Sequence, residues 1–223
     1  MKKIAVLICI FTTSSMASGD IIWNNGLYDT TGTASDISDF ARADNFNLGA
    51  ATTLNSLRFW AVSTTSPATF GNFGGTVGFA IHQNAAGVPG TTVASGADST
   101  VSLIDTGATV LGLNIFELGV DLGSIALAAG DYWLQLREGS IGSAFDGTSI
   151  FWTTTASGSA PTGQFDATET GPVWGNDSGQ EYAFELSGTL DSATVPEPSS
   201  LAVLFAGGIG AYFVRRRRQN AAA

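Results

Sequence analysis

Cysteine, histidine and lysine are almost missing from this chain of 223 residues. The one cysteine is Cys9, the one histidine is His82, and both lysines, Lys2 and Lys3, lie at the very start. A single cysteine excludes an internal disulfide, and a single histidine excludes multi-histidine metal sites of the HExxH kind. The sequence also lacks a Gly-x-Ser-x-Gly motif, which excludes a serine nucleophile of that type.

Positive charge is scarce in the body of the chain. Of the 9 Lys and Arg residues, only Arg42, Arg58 and Arg137 lie between residues 18 and 195. The same region holds 18 of the 19 acidic residues, which gives it a net charge of −15. Such a surface repels nucleic acid and anionic lipid headgroups, so we expect no nucleic-acid partner. Divalent cations, neutral polysaccharide or simple solubility are all compatible with this charge.

The first residues have the pattern of a secretory signal. Lys2 and Lys3 are followed by the apolar residues 4–11 and by the small-x-small sequence Ser15-Met16-Ala17. We predict a signal peptide over residues 1–17, with cleavage after Gly19 as the alternative. The mature chain would then contain no cysteine, so the exported fold must form without disulfides.

The last thirty residues combine a rigid tripeptide, an apolar run and a basic end. Pro196 and Pro198 fix φ and lack N–H donors, which keeps Pro196-Glu197-Pro198 extended and accessible. Residues 201–214 carry no charge and would form a helix about 21 Å long, short for a bilayer. The arginines after this run should stay on the cytoplasmic side and leave the body of the chain outside: Arg215, Arg216, Arg217 and Arg218. An ordinary C-terminal membrane anchor would have the same physical properties.

This order of features resembles the PEP-CTERM sorting domain of Gram-negative bacteria. The resemblance implies recognition by an exosortase, a membrane-embedded cysteine enzyme that would process the chain near Pro-Glu-Pro. It also implies a host that makes exopolysaccharide. Pro196, Glu197 and Pro198 would then be recognised residues, not catalytic ones.

The region between the two signals is long enough for one domain with a sizeable core. Apolar and polar residues alternate with period two in five short segments, which indicates strands: residues 57–62, 77–82, 116–122, 132–137 and 182–187. Weaker candidates lie at residues 21–23, 43–48, 99–104, 149–154 and 172–174. We predict an all-β fold, a single antiparallel β-sandwich of jelly-roll-like form, over residues 18–188. A linker would follow at 189–195, the sorting and transmembrane segment at 196–218, and a tail at 219–223.

Several short landmarks are similar to β-sandwich ectodomains often found in PEP-CTERM proteins. They lie at residues 43–48, 54–60, 79–82, 130–134 and 183–188. That group has no settled biochemical activity, so the similarity supports the fold and adds nothing about chemistry.

Two tryptophans are candidates for carbohydrate stacking. Trp60 and Trp133 each lie on the strand face opposite the apolar residues, so on an open sheet they would offer rings to sugars. Glu185, Gln135 and Asn55 would then bond the sugar hydroxyls. The alternative is that loops or a second layer cover both rings.

Metal and catalytic candidates are weak. Asp29, Asp36, Asp39 and Asp44 cluster in sequence and could ligate calcium through oxygen, but they lack EF-hand spacing, and we interpret them as a solvated acidic loop. We therefore predict no metal site and no cofactor. We interpret His82 as a partly exposed strand residue, not as part of a catalytic triad.

The sequence as a whole predicts an exported surface or extracellular-matrix protein. Its role would be structural or interaction-based, in an exopolysaccharide or biofilm setting, and not enzymatic. It would be anchored transiently in the inner membrane by its C-terminal helix. Its expected partners are the exosortase and the membrane, with polysaccharide as a further candidate. A carbohydrate-binding module is the alternative, and a glycoside hydrolase, which needs two converging carboxylates, comes third.

Overall fold

Strands make up all the regular structure in the described part of the chain. A computed structural model describes residues 19–145, 147–156, 164–166, 174–176 and 180–191. Its strands, in chain order, are β1 (Asp20–Asn24), β2 (Ala34–Asp36), β3 (Ala41–Leu48), β4 (Thr52–Ser63), β5 (Val77–Asn84), β6 (Pro89–Asp98), β7 (Ser102–Val110), β8 (Leu113–Leu127), β9 (Gly130–Glu138), β10 (Ile150–Thr153), β11 (Gln164–Asp166), β12 (Gly175–Asn176) and β13 (Phe184–Leu190). No helix that could cross a membrane occurs among these residues. The predicted signal peptide, the sorting segment and its C-terminal helix lie outside them.

The strands form two antiparallel sheets, which confirms the predicted all-β sandwich. The first sheet has the order β1-β13-β4-β10-β2, with β8 also paired to β4 and β7 paired to β8. Its central strand is β4, which has β8 along one side and β13 followed by β10 along the other. The second sheet has the order β12-β11-β3-β9-β5-β6. Consecutive strands such as β3 and β4 belong to different sheets, so the chain repeatedly crosses from one layer to the other.

The core lies between the sheets and follows the period-two pattern. In β4, for example, Leu57 and Phe59 face the core while Arg58 and Trp60 face outward. Burying an apolar side chain of this size stabilises the fold by about 1.5–3 kcal/mol. The main cluster joins both sheets through buried residues that include Leu54, Leu118 and Val120 from the first and Phe46, Phe79, Ile81, Leu134 and Leu136 from the second.

The alternating segments of the sequence coincide with long strands. Residues 57–62, 77–82, 116–122 and 132–137 lie within β4, β5, β8 and β9, and residues 182–187 overlap β13. The sequence pattern did not reveal β2, β6, β11 or β12, and residues 172 and 173 of its candidate at 172–174 lie outside the described residues. In β6, which pairs only with β5 among the described strands, half of the ten residues are exposed and only Pro89 and Asp98 are buried. Such an edge strand has no apolar alternation to detect.

The first and last strands of the domain are neighbours. β1 pairs with β13, with Asp20 opposite Gly188, so the chain enters and leaves the domain at the same end. A Cβ on Gly188 would collide with the backbone of Thr53, which explains why glycine occupies this irregular position. β13 lies between β1 and β4 and continues to Leu190, beyond the predicted boundary at residue 188.

Candidate functional site

Trp60 is buried on the outer face of the first sheet. Its side chain is 1% exposed and belongs to a small second apolar cluster with Val62, Ile115 and Ala183. The ring of Tyr28 packs edge-on against it, with ring centroids 5.9 Å apart. The face on which a sugar would stack is therefore covered. The exposure that the stacking hypothesis required is absent because segments distant in sequence fold over this ring.

Trp133 is equally inaccessible on the outer face of the second sheet. It is 2% exposed, and its Nε1 donates to Oδ1 of Asn84 at 3.1 Å. The neighbouring His82 is 4% exposed, not partly exposed as the sequence suggested. Its ring nitrogens lie 2.8 Å from Gln135 Oε1 and 3.1 Å from Thr92 Oγ1. Burial lowers the pKa of His82, which favours a neutral histidine with a packing role.

The polar residues expected to bond sugar hydroxyls have protein partners instead. Gln135 Oε1 accepts from His82 Nε2 at 2.8 Å, and Asn55 Nδ2 donates to the carbonyl oxygen of Gly123 at 3.1 Å. Glu185 accepts from Asn24 Nδ2 and from Arg58 Nε, both at 2.9 Å. Arg58 connects Glu185 to Trp60, because its guanidinium lies 5.6 Å from the Trp60 ring centroid. Gln135 and Asn55 do not lie beside Trp60, since they bond His82 and Gly123 instead.

A polar groove of about 360 Å³ crosses the outer face of the first sheet. Arg58 forms part of its wall, held by Glu185 and, at 3.6 Å, by Glu117. Hydroxyls and short side chains line the floor because serine and glycine occupy the outward positions of four adjacent strands: Ser56, Ser102, Gly119 and Ser187. This groove can hydrogen-bond a polar chain, but its lining residues include no aromatic ring.

A buried acidic cluster lies where β3 faces the segment before β13. Asp44 is fully buried, and its carboxylate accepts from Asn25 Nδ2 at 3.1 Å and from the backbone N–H groups of Tyr182 at 2.6 Å and Asn45 at 2.8 Å. The same Asn25 amide donates to Glu181 at 3.1 Å. Burial, followed by the charge of Glu181, raises the pKa of Asp44 well above its usual value of 3.8. This cluster joins the segment after β1, strand β3 and the segment before β13.

The four aspartates considered for calcium lie in separate surroundings. Asp29 caps its own turn through Thr31, and Asp36 accepts from the backbone N–H groups of Ser38 and Asp39. Asp44 belongs to the buried cluster. Across the described ranges, no three acidic, histidine or cysteine side chains converge as a metal site would require.

Sequence reasoning did not single out the buried pair Arg137 and Glu138. Arg137 is fully buried and donates to three backbone carbonyl groups, those of Glu138, Ser143 and Ala144. Its guanidinium also lies 4.3 Å from the ring centroid of Phe145. Glu138 accepts from the backbone N–H of Gly74 at 2.7 Å. These bonds connect the end of β9 to the loop that contains Gly74 and to the loop that contains Ser143 and Ala144, so we assign the pair a structural role.

The comparison with known families locates the functional signal outside the sandwich. Residues 194–218 match the PEP-CTERM protein-sorting motif. The chain carries a PEP-CTERM sorting signal. The match includes the tripeptide Pro196-Glu197-Pro198 and the arginine run from which the sequence predicted the resemblance, so that prediction is confirmed. Curated proteins, compared in the same way, gave no match.

The PEP-CTERM motif defines how the protein is handled. It indicates an exported protein that is anchored transiently in the membrane and then processed by an exosortase, itself a membrane enzyme. It also implies a signal peptide, in agreement with the pattern of residues 1–17. The recognised residues themselves lie outside the described part of the chain.

Proposed function

We propose that this chain is a structural or interaction protein of the cell surface or extracellular matrix of an exopolysaccharide-producing bacterium. The observation that carries the proposal is the direct junction of domain and signal: β13 ends at Leu190, and the PEP-CTERM motif begins at residue 194. The sandwich is then the cargo, and the motif is the part that the exosortase recognises.

The properties of the domain support an extracellular role of this kind. Its core closes without disulfides, and its net charge of −15 favours solubility in a crowded matrix. The proposed role requires neither catalysis nor a cofactor. Processing near Pro196, Glu197 and Pro198 would separate the sandwich from residues 201–218 and so release or transfer it.

The intact mass of the mature protein from its own host tests this proposal. We expect a product ending near Pro196 in a strain with the exosortase, and a longer product retaining Arg215 to Arg218 in a strain without it. Substituting both Pro196→Ala and Pro198→Ala should reproduce the longer product, whereas the matched substitution Pro161→Ala outside the motif should not. Equal masses with the arginines retained in both strains would make the chain a plain anchored protein.

A further inference from the structure

Three loops at the end of the sandwich where the chain leaves contain no charged residue. Residues 49–51 (Gly-Ala-Ala) connect β3 to β4, residues 128–129 (Ala-Ala) connect β8 to β9, and residues 85–88 (Ala-Ala-Gly-Val) connect β5 to β6. All nine residues are exposed. We call these three loops together the alanine end.

Strand register places the three loops side by side. In the first sheet, Thr52 at the start of β4 lies opposite both Leu190 of β13 and Leu127 of β8. In the second sheet, Leu48 at the end of β3 lies opposite Gly130 at the start of β9. The end of β5 pairs beside the same part of β9. The alanine end is therefore one continuous end of the domain, the end at which β13 finishes.

The loops of the alanine end carry no charge, and acidic residues border them. Charges are found at its margin: Asp20 begins β1, Asp131 accepts from Asn47 Nδ2 at 2.7 Å, and Asp191 follows β13. Loops at the opposite end of the sandwich include Asp29 and Asp39, although residues 64–76, which connect β4 to β5 there, carry no charge. In a domain with 18 acidic residues and 3 arginines, the nine residues of the alanine end are limited to Gly, Ala and Val.

The chain between the alanine end and the sorting motif is short. Leu190, 61% exposed, is the last residue of β13, and only residues 191–193 separate it from the sorting motif. Six residue steps from Leu190 to Pro196 reach at most about 20 Å. While the C-terminal segment is held in the membrane, this short connection keeps the end of the domain close to lipid headgroups.

We propose that the alanine end is the surface on which the domain rests against the lipid bilayer during sorting. A charged side chain pressed against a bilayer must lose water, and a carboxylate also repels anionic headgroups within a Debye length of about 8 Å. Glycine and alanine avoid both costs. The proposal rests on the membrane-held stage of the proposed function.

The contact should be weak once the tether is cut. Burying an exposed methyl group contributes little binding free energy, and the alanine end offers few of them. The domain can therefore contact the bilayer without binding to it tightly. A processed sandwich ending near Pro196 is expected to leave the membrane.

The cysteine-free mature chain makes a direct test possible. Single cysteines are introduced as Ala50→Cys or Ala129→Cys in the alanine end and as Leu111→Cys, a 71% exposed position in the β7–β8 turn at the opposite end. Each exported chain, with its C-terminal segment, carries a dye and is reconstituted into phosphatidylethanolamine–phosphatidylglycerol vesicles containing headgroup spin labels. We expect loss of fluorescence at residues 50 and 129 but not at residue 111.

Each other outcome would overturn the proposal. Equal quenching at all three positions would mean that the domain moves freely on its linker. Protection of residues 50 and 129 that appears only with added exosortase would make an enzyme surface the partner. Dye changes that persist in lipid-free detergent and increase with protein concentration would indicate contact between two copies of this chain.

A second experiment separates this proposal from the proposed function. In the host, Ala50→Glu with Ala129→Glu should slow exosortase processing, while the control pair Thr65→Glu with Leu111→Glu at the opposite end should not. A flexible Gly/Ser insert after Asp191 should restore the rate, because a longer linker removes the need for close approach. If the wild-type chain is not processed, the proposed function fails. If it is processed and the alanine-end glutamates change nothing, only the bilayer proposal fails.

Discussion

Asp44 and Glu185 are two buried carboxylates with opposite kinds of partners. Asp44, inside the sandwich, accepts hydrogen bonds from neutral donors: the Asn25 amide and the N–H groups of Tyr182 and Asn45. Glu185, on the outer face of the first sheet, is bound by the guanidinium of Arg58. With 3 arginines for 18 acids, this domain cannot give each buried carboxylate a cation. Burial, followed by the charge of Glu181, raises the pKa of Asp44, and the hydrogen bonds from its neutral donors offset only part of that rise.

The largest effect should come from removing the carboxylate inside the sandwich. Asp44→Ala would remove the carboxylate that accepts from the N–H groups of Asn45 and Tyr182 and one of three acceptors of the Asn25 amide, at about 1–3 kcal/mol for each buried donor that neither water nor another group then satisfies. We expect a loss of about 3–5 kcal/mol in the free energy of unfolding, measured by urea denaturation. Asp44→Asn, which keeps the shape and one acceptor oxygen, should lose less. A loss below about 1 kcal/mol for Asp44→Ala would mean that water enters this cluster.

Removing the cation on the outer face should cost less. Arg58→Met keeps an apolar stem near Trp60 but leaves Glu185, whose side chain is 5% exposed, without its guanidinium. Breaking a fully buried pair costs about 3–5 kcal/mol, but the Arg58 side chain is 42% exposed, so we expect about 1–2 kcal/mol. Arg58→Lys should recover part of that loss, because it restores the charge without the paired N–H geometry. Equal losses for both variants would assign the effect to geometry, not charge.

The stability that Asp44 contributes should depend on pH. The folded pKa of Asp44 is raised, so the stability it contributes is fully present below its usual value of 3.8 and is lost as pH rises through the folded pKa. The difference in unfolding free energy between wild type and Asp44→Asn should therefore shrink as pH rises. Urea denaturation over a pH series measures it. A difference that grows with pH would show that Asp44 is stabilised as the anion, as an arginine-bound carboxylate would be.

Particular residues show how far the sequence could predict this structure. The alternation of apolar and polar residues predicted the positions of the central strands, because every second side chain of such a strand points into the core. It also placed Trp60 and Trp133 on outward faces, but their covers, Tyr28 and Asn84, come from other segments that no local pattern connects to them. Asp44 did leave a signal: it shares a strand face with Phe46 and Leu48, so a polar residue appears in a core row.

The smallest effect is expected at Glu117, the partly exposed second partner of Arg58. Glu117 lies 3.6 Å from Arg58 with its side chain 24% exposed, so water and salt screen their attraction. We expect Glu117→Gln to change the free energy of unfolding by no more than about 0.5 kcal/mol, and less in high salt. A double-mutant cycle with Arg58→Met measures the pair alone. Coupling above about 1 kcal/mol would mean that Glu117, Arg58 and Glu185 act as one network, and the outer face would then resemble the interior cluster more than an ordinary surface.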